Sequence, residues 1–159
     1  MSETHCIASI DLAGFNASGE GQADHERRVA VSDLLDSNYF APEDVAEGPY
    51  DVRLSIEDGR LIIDIRNLDA ESLKVHVFSM GPFRGVFKDY FMICDSYHEA
   101  VRDASLAQIE AIDMGRRGVH NEGSELLRER LKGKVEIDFE TARRLFTLIG
   151  ALHRRAVAG

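Results

Sequence analysis

The chain has 159 residues and a mass of 17.7 kDa, enough for one domain that buries a core without disulfides or metal. With 44% apolar and 30% charged residues it is too hydrophobic for a disordered chain, no apolar run reaches membrane-span length, and Met1 to Leu12 lacks the pattern of a signal peptide. The formal net charge of −9 is unevenly spread: residues 1–79 carry 16 acidic and 6 basic side chains, residues 80–159 carry 12 and 13, so the front half repels polyanions and only the back half suits an anion.

In chain order, Cys6 to Leu12 alternates as a strand with one wet face, and Gly14 to Gly21 reads as a flexible connection. Asp24 is placed to cap a helix running to about Asn38, with Val31, Leu34 and Leu35 as a narrow apolar stripe. His25, Glu26, Arg27 and Arg28 crowd its first turn, where they either form a site or make a solvated turn with local ion pairs.

From Tyr50 the alternation is the cleanest in the chain. Tyr50, Val52, Leu54 and Ile56 precede an Asp58-Gly59 turn, and Leu61, Ile63 and Ile65 follow it. Pairing Glu57 with Arg60, Ile56 with Leu61, Leu54 with Ile63 and Val52 with Ile65 puts every apolar residue on one face. Leu73, Val75 and Val77 then alternate with Lys74, His76 and Phe78 in a third strand, with His76 on the solvent face or under a flanking element.

The period changes in the second half. Val86, Tyr90, Ile93, Cys94, Tyr97 and Val101 predict an amphipathic helix from about Arg84 to Ala104, entered after Gly81-Pro82. Ser105 and Gln108 form a capping-box pair opening a short helix through Met114, which Gly115 ends. Ser124 caps a third helix stopping at Gly133. Asp138 caps a fourth, with Phe139, Ala142, Leu145, Phe146, Ile149 and Leu152 on one face. The expectation is a single α+β domain over 1–159: a strand and flexible loop (1–24), a helix and antiparallel strands (25–83), and helices (84–155). Its antiparallel sheet of about four strands packs against the C-terminal helices.

Phosphate-loop, nucleophile-elbow and zinc-helix signatures are absent, Cys6 and Cys94 are far apart, and the six histidines show no ligand spacing, so neither a metal nor a cofactor is expected. The most concentrated chemistry lies in 113–124, read as a glycine-broken polar loop: Arg116, Arg117, His120, Asn121, Glu122 and Ser124 within nine residues. If Ser124 caps the following helix, free amides at that end, with Arg116, Arg117, His120 and Asn121 folded over them, hold phosphate or carboxylate. The structural alternative is that the arginines pair with Asp113 or Glu122 and the glycines merely end helices. Arg143 and Arg144 extend the basic surface or form a solvated face.

Three blocks carry a resemblance: Lys88 to Cys94, Gln108 to Gly118 with His120 to Ser124, and Asp138-Phe139 with Thr141 to Ile149. On them the chain resembles a small bacterial family, uncharacterised protein family 0262, from His25 to about His153. The resemblance implies relatives but transfers no activity, ligand or catalytic residue.

These residues lead to a non-catalytic binding or regulatory protein, cytoplasmic, recognising an anionic small molecule or a partner's acidic segment through 113–124. The alternative is a small hydrolase or transferase acting on a phosphorylated or carboxylated metabolite, with His120 or Glu122 as acid/base. A homodimer through an exposed apolar face is a further expectation; nucleic acid and membrane are not expected partners.

Overall fold

The computed structural model describes residues 4–15 and 22–158. In chain order its elements are β1 (Ile7–Leu12), α1 (Gln22–Asp36), β2 (Phe40–Pro42), β3 (Tyr50–Glu57), β4 (Arg60–Arg66), β5 (Ser72–Ser79), α2 (Gly81–Asp103), α3 (Leu106–Leu131), β6 (Val135–Ile137) and α4 (Phe139–Ala158). Most of the predicted Gly14 to Gly21 connection, residues 16–21, lies outside the described residues. Asp24 sits within the first turn of α1, where it pairs with Arg27 at 3.5 Å, and so does not precede the helix as a cap.

The fold is α+β. Its main sheet has the order β1-β3-β4-β5, and β2 and β6 form a separate antiparallel ribbon. The β3–β4 hairpin turns at Asp58-Gly59 with all four predicted cross-strand pairs in place, and both turn residues have positive φ, 51° and 72°, as such a two-residue turn demands. The sheet is mixed, because β1 joins β3 in parallel, which the intervening α1 makes sterically possible. Asn38 secures that edge: its side-chain oxygen accepts from the Ile7 amide at 2.7 Å, and its amide nitrogen donates to the Ile7 carbonyl at 3.0 Å. A side chain thereby replaces a strand neighbour where the β1 register shifts.

Val52, Leu54, Leu61, Ile63 and Ile65 bury one face of the sheet, and α4 packs on β3 there. On β5 the register pairs Leu61 with Phe78 and Ile63 with His76, so those side chains share the buried face. Val75 and Val77, opposite Asp64 and Ile62, are exposed on the other.

Beyond the place of Asp24, the helices differ from expectation in α3. Ser105 and Gln108 do form a reciprocal capping box, and Asp138 accepts from the Thr141 amide at 2.9 Å to open α4. But α3 runs unbroken through Gly115, Gly118 and Gly123, merging the two predicted helices and the loop between them. The reason is packing. A Cβ at Gly115 would lie 2.7 Å from Ile93 Cδ1 of α2, and one at Gly123 would lie 2.2 Å from Phe146 Cζ of α4. These two glycines let neighbouring side chains approach the helix backbone and do not terminate it. The buried residues of α3, Gly123, Ser124, Leu127 and Leu131, all lie in its C-terminal part, whereas the N-terminal part has α2 as its main neighbour.

Candidate functional site

Because 113–124 is helix, its polar groups are arranged by helical geometry. Arg116, Arg117 and His120 stand at i, i+1 and i+4 and share a face; Glu122, two residues beyond His120, projects from the opposite side. Along α4, Arg143, Arg144 and Thr147 repeat the same spacing. The two triplets meet: His120 Nε2 and Thr147 Oγ1 are 2.8 Å apart. Thr147 of α4 lies against His120, while Ile137 of β6, two residues before α4 begins, lies against Arg128 further along α3, so the helices are antiparallel. The two arginine pairs therefore flank the His120–Thr147 bond from opposite ends.

Together with His25, Glu26, Val29, Ala30 and Asp33 of α1 and Tyr90 of α2, these six residues line an open cleft of about 570 Å³. Asn121 and Glu122 are exposed and are not part of this lining. Ser124 is fully buried and donates its hydroxyl to the His120 carbonyl at 2.7 Å. It caps no helix, and the backbone amides around it are engaged inside α3, so the predicted anion cradle of helix-end amides does not exist. Arg143 and Arg144, expected to extend the basic surface, do line the cleft; the loop reading missed Thr147, Tyr90 and the α1 residues Val29, Ala30 and Asp33. The signal for Thr147 was the Arg-Arg-x-x-His and Arg-Arg-x-x-Thr spacing, visible only once α3 is treated as continuous.

The guanidiniums are partly committed. Asp113 bridges two of them, at 2.6 Å to Arg116 Nη2 and 3.0 Å to Arg117 Nε. The hydrogen bond from Arg116, with the charges of both arginines, holds the Asp113 carboxyl below its ordinary range. Arg116 also lies 4.4 Å above the Tyr97 ring. Arg143 Nη1 donates to Glu140 at 3.1 Å. Arg144 has only long ionic contacts among the described residues, 3.8 Å to Asp33 and 3.7 Å to Glu140, and retains its hydrogen-bond donors. All these acids leave part of the cluster unsatisfied: the Arg143 Nε is buried and has no acceptor.

His120 lies edge-on to Phe146 and Tyr90, with ring centres 5.2 and 5.3 Å away. Burial, reinforced by Arg143, Arg116 and Arg144, pushes its pKa down to about 4. The unfolded imidazole titrates near 6.5, so below that pH the unfolded chain takes up a proton that the folded protein refuses. Stability from His120 is complete above pH 6.5 and is lost as pH falls toward 4, by up to about 3 kcal/mol. The substitution His120→Gln, which keeps an N–H for Thr147 and does not titrate, should make urea-unfolding free energy fall less steeply over that interval. His76 and His153 are also lowered by burial and leave a residual slope. An equal slope in both proteins would refute the assignment.

His120 is neutral near pH 7, Glu122 faces away, and burial raises the Cys94 thiol above its ordinary value, keeping it protonated. Burial likewise raises the Tyr90 hydroxyl, with Cys94 adding to the shift. Among the described residues no group of three or more His, Cys, Asp or Glu is arranged to hold a metal, and no helix is long and apolar enough to cross a membrane.

Fold and site together define a small α+β protein with an arginine-walled cleft between its helices. The model of an uncharacterised protein family, UPF0262, matches residues 4–155, and the chain belongs to that family. It is 60% identical over 153 residues to a UPF0262 protein of Maricaulis maris, covering 96% of each chain. A UPF0262 protein of Caulobacter vibrioides is 57% identical, with 95% of this chain and 94% of the relative covered. One from Bradyrhizobium diazoefficiens is 58% identical, with coverages of 91% and 88%. No solved structure matches the chain.

Proposed function

We propose that this protein binds an anionic ligand in the cleft between α1, α3 and α4, without converting it chemically. The carrying observation is the convergence of Arg116, Arg117, Arg143 and Arg144 around the His120–Thr147 bond in a chain whose net charge is −9. Guanidiniums offer paired donors to phosphate and carboxylate, and Arg144 retains all of its donors. Asp113 and Glu140 hold the forks apart and oriented; an incoming anion shares these arginines with them.

Isothermal titration calorimetry with pyrophosphate and with citrate, at constant ionic strength, tests this. One of the two should bind saturably at one site, and Arg143→Ala/Arg144→Ala should weaken it at least tenfold while the circular dichroism spectrum is retained. Absence of saturation by either anion up to about 10 mM, or equal binding by the double variant, would overturn the reading.

A further inference from the structure

We infer that two copies of this chain associate about a two-fold axis by pairing β5 with β5 in antiparallel, which joins their four-stranded sheets edge to edge. No residue of β5 lines the arginine cleft, so the inference stands apart from the anion-binding reading.

β5 ends the strand order β1-β3-β4-β5, so one of its edges has no neighbouring strand. Its ladder with β4 fixes which groups lie on that edge. The Met80 amide donates to the Gly59 carbonyl at 2.9 Å, one step beyond the Arg60–Ser79 pair. Backbone bonding alternates along an antiparallel pair, so Lys74, His76 and Phe78 turn their N–H and C=O groups toward β4, while Val75, Val77 and Ser79 turn theirs outward. Among the described residues no backbone bond from outside the sheet reaches these outward groups. The same two valines are 50% and 53% exposed on the sheet's outer face.

A row of outward donors and acceptors accepts an extended backbone, and sheet edges are ordinarily blunted against one. The opposite edge of this sheet is blunted: the Asn38 side chain occupies both backbone groups of Ile7, and β1 carries the charge of Asp11. β5 runs for eight residues with neither a proline nor an acidic residue. In a chain of net charge −9 it is a strip on which two copies meet without carboxylate facing carboxylate. A two-fold axis at His76 makes the strand its own complement. Val75 then pairs with Val77 of the second copy, and Val77 with its Val75, gathering the exposed valines of both chains on one face. Lys74 falls opposite the second copy's Phe78, the kind of ammonium-to-ring pairing that Lys134 makes with Phe78 within the chain at 5.8 Å. Burial, with Lys74 and Lys134, holds the His76 imidazole below its ordinary range, so the two that meet on the axis are uncharged at pH 7. One strand a side is well short of the roughly 20–30 residues of a standard interface, which makes this a weak association, with a Kd on the order of 10–100 μM.

Sedimentation equilibrium of the full chain from about 5 μM to about 1 mM, at pH 7 and physiological salt, tests the inference. The mass should rise with concentration from 17.7 kDa toward twice that value. Val77→Pro removes one outward N–H and no bond to β4, so it should retain the circular dichroism spectrum and weaken the dimer at least tenfold. Val75→Lys/Val77→Lys leaves the backbone intact and crowds ammonium groups into the joint; it should have the same effect, and decides the matter if the proline variant does not fold. Hydrogen exchange locates the contact: the Val75 and Val77 amides should slow as concentration rises. A monomer at every concentration, a dimer that the folded variants form as tightly as wild type, or a dimer in which Val75 and Val77 exchange at the monomer's rate overturns the inference.

Discussion

Phe146→Ala should lower the unfolding free energy by about 3–5 kcal/mol, a large share of the total for a domain of this size. The ring is 1% exposed and lies where three helices meet. It stacks on Phe87 of α2 with centres 4.5 Å apart and planes within 10°, and both Tyr90 and His120 contact it edge-on. Truncation removes the burial and the aromatic contacts together and leaves a void whose walls are themselves fixed by packing. Urea unfolding measures it as a lower midpoint at unchanged slope. Phe146→Leu, which refills most of the volume, should cost clearly less. A loss below about 2 kcal/mol for the alanine variant would mean that the three-helix junction collapses into the space and is not rigid.

The second large effect comes from adding one carbon. Gly123→Ala should destabilise by about 1–3 kcal/mol or more, although alanine is the better helix former by about 1 kcal/mol. The new Cβ would lie 2.2 Å from Phe146 Cζ and 2.3 Å from Cε1, and the stacked ring has no free side to retreat to. Gly118→Ala, five residues earlier in the same helix, has nothing within 4 Å of its Cβ position and should instead stabilise by roughly 0.5–1 kcal/mol. Opposite signs for one substitution in one helix isolate close packing from propensity. The same sign at both positions would contradict the account of why α3 continues through its glycines.

That account also explains what could be read in advance. The hairpin register, the Ser105–Gln108 capping box and the apolar face of α4 are set by residues within a few positions of one another, and each was legible. Gly115 and Gly123 are different: the same residue suits a helix end and a tight helix crossing, and only the partner, Ile93 or Phe146, decides between them. Reading them as ends turned a helix face into a loop, left Thr147 out of the site and showed Arg143 and Arg144 only as an extension of the basic surface. It also assigned Ser124 an exposed capping role when its hydroxyl is spent inside the helix. The β2–β6 ribbon and the parallel seat of β1 depend on pairings such as Phe40 with Ile137, too distant in sequence to leave a local pattern.

The uneven anchoring of α3 has a mechanical consequence. Arg143 and Arg144 stand on a helix whose buried face runs from Ala142 to Leu152, whereas Arg116 and Arg117 stand on the part of α3 that precedes its first buried residue, Gly123. The two arginine pairs of the cleft therefore stand on unequal footings, one rooted in the main core and the other held through α2, against whose Ile93 Gly115 packs.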